Sequence, residues 1–237
     1  MTRGAYVVQL GLVSYQEALE LQRSLAAAVT EGTLPDTVVL LEHPPVITLG
    51  RRAEPGELHV PEGAEVVILR TDRGGKSTYH APGQLVCYPI LDLRRHGQDV
   101  QKYCRDLEEA LIRTLAAFEL EAMRIEGLTG IWLTPRPRKI ASIGIHISKW
   151  ITTHGYALNV DLDTAPFTEW ITACGLDGAA FTTIAAELGR TVNVDDVRPA
   201  ATDALADVFG FEFEPLPPGA VERLTAQRPA ASRPARV

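Results

Sequence analysis

Between Lys139 and Val160 the chain carries two strand-like runs in succession, Lys139–Ser148 and Ile151–Val160. The first alternates: Ile143, Ile145 and Ile147 fall on one side, and Ser142, Gly144, His146 and Ser148 on the other. A strand with one face against a core satisfies a period of two; a helix, whose faces recur every 3.6 residues, does not. Further strand-like runs lie at Ala5–Leu10, Thr37–Leu41, Val46–Leu49, Val66–Arg70, Leu85–Leu91 and Gly130–Leu133. Helical spacing interrupts them. Ser14 and Glu17 form a capping box that opens a helix with Ala18, Leu21, Leu25, Ala28 and Val29 on one stripe, ending at Gly32. A longer helix over Asp99–Phe118 aligns Val100, Tyr103, Cys104, Leu107, Leu111, Leu115 and Phe118, and shorter ones are expected at Thr183–Leu188 and Asp195–Phe209. Because strands and helices mix without strict βαβ alternation, the pattern predicts an α+β fold with a mixed, largely antiparallel sheet flanked by helices.

One domain over residues 1–214 accounts for these elements. Residues 215–237, rich in Pro, Ala and Arg, are expected to form a flexible tail. The whole chain has net charge −7, but four arginines against Glu222 give the tail +3, so the rest carries −10. An acidic body argues against nucleic acid as a partner. No apolar run approaches the ~18 residues of a membrane span, so no membrane partner is expected. The N-terminus lacks a signal-peptide pattern, and three widely spaced cysteines give no disulfide framework, which together predict a cytoplasmic protein. His146 and His154 have no third ligand at zinc spacing, so neither a metal nor another cofactor is expected.

Two segments bear chemistry. Arg73-Gly74-Gly75-Lys76-Ser77-Thr78-Tyr79-His80-Ala81-Pro82-Gly83-Gln84 joins two strands and combines glycines with hydroxyls, a histidine and a Pro-Gly turn. Such a segment offers backbone N–H groups to a ligand oxygen; the plainer alternative is a hairpin loop facing water. Cys174 lies in a glycine-flanked connection, unlike Cys87 in a strand and Cys104 on a helix face, which read as core. A thiol titrates near ~8.5, so a nearby cation would be needed to populate its thiolate at neutral pH. Lys139, following the stiff Pro135–Arg138 loop, is a candidate, although a lysine at a strand end is ordinarily just solvated.

The blocks Leu41–Pro45, Thr48–Arg51, Arg73–Gly75, Thr78–His80, Pro82–Val86, Tyr88–Ile90, Lys139–Gly144, His154–Val160 and Cys174-Gly175 stand in an order that resembles the lipoyl (octanoyl) transferases of lipoate biosynthesis, the LipB family. The resemblance spans about residues 5 to 213. It implies a fold shared with biotin and lipoate protein ligases, and transfer of an octanoyl group from acyl carrier protein to a lysine of a lipoyl domain, without ATP. It places the acyl-enzyme cysteine on Cys174 and the lysine that lowers its pKa on Lys139. The implied substrate-binding segments fall on Arg73, Gly74, Gly75, Lys76, Ser77, Thr78, Tyr79 and His80, on Ser142, Ile143 and Gly144, and on Gly155, Tyr156 and Ala157. Ile143 and Tyr156 are expected to help form the apolar slot for the chain, and the glycine segments to hold the oxyanion. Ala81, where the family usually has Gly, and Ala173, where Pro commonly precedes the cysteine, are departures that bear on substrate preference. A monomer is expected. The acidic carrier would need local positive patches, for which Arg51-Arg52, Arg94-Arg95, Arg136, Arg138 and the tail are candidates.

Overall fold

A computed structural model describes residues 2–171, 180–217 and 219–226. Eight strands form one sheet: β1 (Arg3–Leu12), β2 (Thr37–Glu42), β6 (Gln84–Ile90), β7 (Ala122–Ile125), β8 (Leu128–Leu133), β9 (Arg138–Ser148), β10 (Ile151–Asn159) and β11 (Phe211–Pro215). Their order is β11-β1-β2-β6-β10-β9-β8-β7. Only the β1 pairings with β11 and β2 are parallel; the others run antiparallel, which gives the mixed, largely antiparallel sheet expected. A smaller sheet orders β4 (Val67–Arg70), β3 (Val46–Leu49) and β5 (Ser77–His80).

Helices cover both faces of the large sheet. On one side α1 (Tyr15–Glu31) buries Ala18, Leu21, Leu25 and Val29 against Val39, Leu41, Val86 and Tyr88. Its start is fixed by the Ser14–Glu17 capping box and its end by Gly32 in the left-handed conformation, at φ 73°. On the other side α2 (Val100–Ala116) and α5 (Val194–Phe209) share a core with Leu85, Cys87, Tyr156 and Leu158. The small sheet packs on α3 (Pro166–Glu169) through Ile47, Tyr79 and Phe167, and reaches the start of α1 through Val46, Leu69 and Tyr15. The remaining helices are α4 (Ile184–Leu188) and α6 (Ala220–Ala226).

Several elements depart from the sequence expectations. Val100 is 42% exposed, because it opens α2 before the apolar face reaches the sheet. Ser77–His80, read as loop, is a strand, since Thr78 and Tyr79 find backbone partners in Thr48 and Ile47. The segment expected to be a flexible tail contains α6, and Val221, Leu224 and the preceding Leu216 pack against the α1 core; residues 227–237 lie outside the described residues.

Candidate active site

Glycines bring the two sheets together. A Cβ at Gly50 would lie 2.4 Å from the Gly75 carbonyl oxygen, and one at Gly144 would lie 3.1 Å from that of Gly74. The Arg73–Gly75 turn therefore lies against β3 on one side and β9 on the other, with the Gly74 N–H donating to the Ile145 carbonyl at 2.8 Å. That donor is spent inside the protein, so the oxyanion role expected of Gly74 is not available to it. Arg73 is buried: its Nε donates to Thr48 Oγ1 at 3.0 Å, its Nη2 to the Thr48 carbonyl, and its Nη1 to the Gly74 carbonyl. Lys76 forms a 2.6 Å ion pair with Glu57, which also accepts from Ser77 Oγ at 3.0 Å. Beside Glu57, Leu58 bridges to Ile171, and the His59 N–H donates to the Trp170 carbonyl at 2.8 Å.

The turn roofs a narrow cleft. Arg73, Gly75, Lys76, Ser77, Thr78 and His80 line it from above, and Ser142, Ile143, Gly144, Gly155, Tyr156 and Ala157 from the large sheet. Tyr79 turns away to stack edge-on with Phe167 and Trp170. Across β9 and β10, Gly144 faces Gly155 and Ser142 faces Ala157, while Ile143 faces Tyr156. Directly opposed residues share a face. Ile143 and Tyr156 pack with the α2–α5 core. On the opposite face of the sheet, toward the cleft, the small residues Ser142, Gly144 and Ala157, with Val86 and Tyr88 of β6, form the cleft floor.

Four lining residues were not among the expected binding residues: Tyr15, Val86, Tyr88 and His154. Tyr15 lies just before the apolar stripe that begins at Ala18, and its sequence context does not mark it as a cleft residue. Tyr88 Oη bonds to His43 Nε2 at 2.7 Å, and His43 Nδ1 to the Val13 carbonyl at 2.7 Å. Tyr15 Oη meets His154 Nδ1 at 3.3 Å, and His154 Nε2 reaches Asp72 at 2.8 Å. Burial lowers His43 to about 4 and His80 to about 3, and raises Tyr15 to about 12. These three side chains are thus uncharged at neutral pH, beside the charged Arg73 and Lys76.

A second recess of about 370 Å³ adjoins the cleft at Gly75, Lys76, Ile143 and Gly144, and Lys139 lines it with Gly74, Arg52 and Cys104. Lys139 is not a solvated strand-end lysine: it is 1% exposed, with Nζ 5.1 Å from the centre of the Trp132 ring. Its N–H donates to the Ala180 carbonyl at 2.8 Å, and its carbonyl accepts from the Thr182 N–H at 3.0 Å. Cys174 lies outside the described residues, between Ile171 and Ala180. Cys87 is fully buried and Cys104 partly buried. Among the described residues no group of three or more His, Cys, Asp or Glu side chains is placed to hold a metal, and no helix is long and apolar enough to cross a membrane.

The sequence profile of the lipoyl protein ligase A/B catalytic domain matches residues 14–206. The chain is 49% identical over 218 residues to an octanoyltransferase of Mycobacterium marinum, covering 88% of this chain and 89% of the relative. It is 44% identical to an octanoyltransferase of a Roseiflexus species, covering 96% and 95%. Its fold matches a bipartite lipoate protein ligase from Thermoplasma acidophilum with a TM-score of 0.75 at 15% identity, covering 94% and 91% of the two chains.

Proposed function

This chain belongs to the lipoyl protein ligase A/B catalytic-domain family, and within it we propose an octanoyltransferase that works through a thioester on Cys174. The supporting observation is the placement of Lys139, buried beside the cleft with its backbone bonded to Ala180, six residues after Cys174. Ile171, three residues before Cys174 in sequence, bridges to Leu58.

In this reading the Cys174 thiolate attacks the octanoyl carbonyl of the carrier thioester. The carbon–sulfur bond to the carrier breaks, and the carrier's thiol leaves carrying the proton that the Lys139 ammonium gives up, which leaves Lys139 neutral for the second step. One thioester replaces another, so the step is close to energy-neutral. A lipoyl-domain lysine amine then attacks, the amide forms, Cys174 leaves as thiolate and the amine's proton passes to Lys139. An ammonium ~4 Å from the sulfur favours thiolate by up to about 4 kcal/mol before desolvation is subtracted. Octanoyl-acyl carrier protein as donor and lipoyl domains as acceptors follow from the same reading.

Among the positive patches, Arg94 is paired with Asp92 and Arg138 with Glu187. Arg51 and Arg52 are exposed, and their N–H groups bond to the Arg73 and Gly75 carbonyls of the cleft turn. They supply positive charge at the cleft for the acidic carrier.

Intact-protein mass spectrometry after mixing with octanoyl-acyl carrier protein tests the scheme. The expected result is one octanoyl adduct on Cys174 that disappears when apo lipoyl domain is added. Transfer that requires ATP, with no adduct at any pH, would replace the scheme with a ligase mechanism.

A further inference from the structure

A buried chain of side chains runs from the cleft to Lys139. His80 Nδ1 lies 2.7 Å from Gln84 Oε1, and Gln84 Nε2 lies 2.9 Å from Asn159 Oδ1. Asn159 Nδ2 lies 3.1 Å from the Thr182 carbonyl oxygen. The Thr182 N–H in turn donates to the Lys139 carbonyl. His80, Gln84, Asn159, Thr182 and Lys139 are all buried.

The direction of every bond in this chain follows from its last member. A carbonyl only accepts, so Asn159 must present its NH₂ group to Thr182 and its Oδ1 to Gln84. Gln84 must then turn its NH₂ toward Asn159, where it also lies 3.5 Å from the Tyr79 carbonyl. Its remaining oxygen faces His80, so His80 must donate from Nδ1. Burial keeps the ring neutral, which leaves Nε2 as a lone-pair acceptor. His80 lines the cleft, and among the described residues Nε2 has no hydrogen-bond partner.

We propose that Asn159 is a positioning residue for the transfer reaction. Through Gln84 it fixes His80 in the Nδ1–H tautomer, so that the cleft meets an acceptor at Nε2; through Thr182 it holds the backbone that carries Lys139. At His80 the cleft therefore accepts a hydrogen bond from an N–H or O–H of the acyl donor or the incoming amine, and this side chain does not donate to an oxyanion. The Lys139 half of this proposal rests on the thioester reading above; the tautomer half does not.

Long-range proton–nitrogen correlation NMR on the ¹⁵N-labelled full chain, with His80 assigned through His80→Gln, reads the tautomer directly. The wild type is expected to show Nδ1–H between pH 6 and 8, and Gln84→Met to lose that preference. Single-turnover octanoyl loading gives the second readout. Asn159→Ala, which breaks both links, should load about 10- to 100-fold more slowly, as expected when a reacting group shifts by about 1 Å. Gln84→Met leaves the Asn159–Thr182 bond in place and should lose much less. Should Asn159→Ala fail to fold, Asn159→Ser, whose hydroxyl can serve one of the two neighbours, takes its place with a smaller expected loss. An Nε2–H tautomer in the wild type overturns the first half. Asn159 variants that fold and load within about two-fold of wild type overturn the second. A wild type that takes no octanoyl group sinks the thioester reading, while the NMR result still decides the tautomer.

Discussion

Lys139 passes over Gly130: a Cβ at Gly130 would lie 2.9 Å from Lys139 Cε and 2.5 Å from the Ala141 carbonyl oxygen. Gly130 also holds φ 122°, a conformation that L side chains rarely adopt. The glycine thus opens the path along which the lysine stem reaches Trp132. Gly130→Ala is expected to cost about 1–3 kcal/mol of stability through backbone strain. It should also slow octanoyl loading by about tenfold or more by displacing Lys139. Thermal unfolding and single-turnover loading read the two effects separately; unchanged loading would mean that the lysine's placement does not set the rate.

Gly144 makes the corresponding contact for the cleft roof. A methyl group there would lie 3.1 Å from the Gly74 oxygen and 3.2 Å from Arg73 Cδ, close enough to push the turn by a few tenths of an ångström. The turn lines the cleft and does not carry Lys139. Gly144→Ala should therefore raise the KM for the octanoyl donor by about three- to tenfold with a smaller change in kcat. A fall in kcat at constant KM would place the substitution's effect on the chemistry instead.

Asp72 and His154 predict a pH signature in stability. The hydrogen bond from His154 holds the Asp72 carboxyl well below the usual carboxylate range. A carboxyl depressed in the folded state stabilises the fold above its unfolded value of ~3.9, and that contribution is lost as pH falls through the folded value. The Asp72 side chain is 50% exposed, so screening keeps the contribution to about 1 kcal/mol. Asp72→Asn should lower Tm at pH 7, and the gap to wild type should begin to narrow as pH falls below ~3.9, through pH 3 and lower. A gap that stays constant across that range would show that the pair does not contribute through ionisation.

The elements with a strong period were legible from sequence. The Ser14–Glu17 cap, the alternation after Ser142 and the stripe on α2 each follow from local chemistry, and the structure shows all three elements. What escaped was set by tertiary pairing. Ser77–His80 is polar enough to read as loop and becomes a strand only because Val46–Leu49 lies alongside it. The alternation of β9 was visible, but which face meets the cleft was not: it depends on α2 and α5 covering Ile143 and Tyr156. Of the expected binding residues all but Gly74 and Tyr79 line the cleft, because motif order tracks elements that meet at its walls. Asn159 and Gln84 stood in those motifs without a role, because their partners are 75 and 23 residues away in sequence.

Alkylation separates the three cysteines and tests Lys139 at the same time. Burial pushes the Cys87 thiol up, and burial also raises Cys104. Thiolate is the reacting form, so both should react slowly with iodoacetamide at pH 7. Cys174, if Lys139 stabilises its thiolate, should be alkylated first and at a pH below the ordinary thiol midpoint of ~8.5. Lys139→Met removes the ammonium, so the alkylation midpoint should rise to that value or above it. Since one pKa unit corresponds to about 1.4 kcal/mol, a shift of one to two units would mean that the lysine contributes roughly 1.4–2.8 kcal/mol to the thiolate. Peptide mapping of the alkylated chain over pH 5 to 10 gives the midpoint for each cysteine. An identical Cys174 midpoint in wild type and Lys139→Met would remove Lys139 from thiolate stabilisation and leave it at most the proton transfer of the second step.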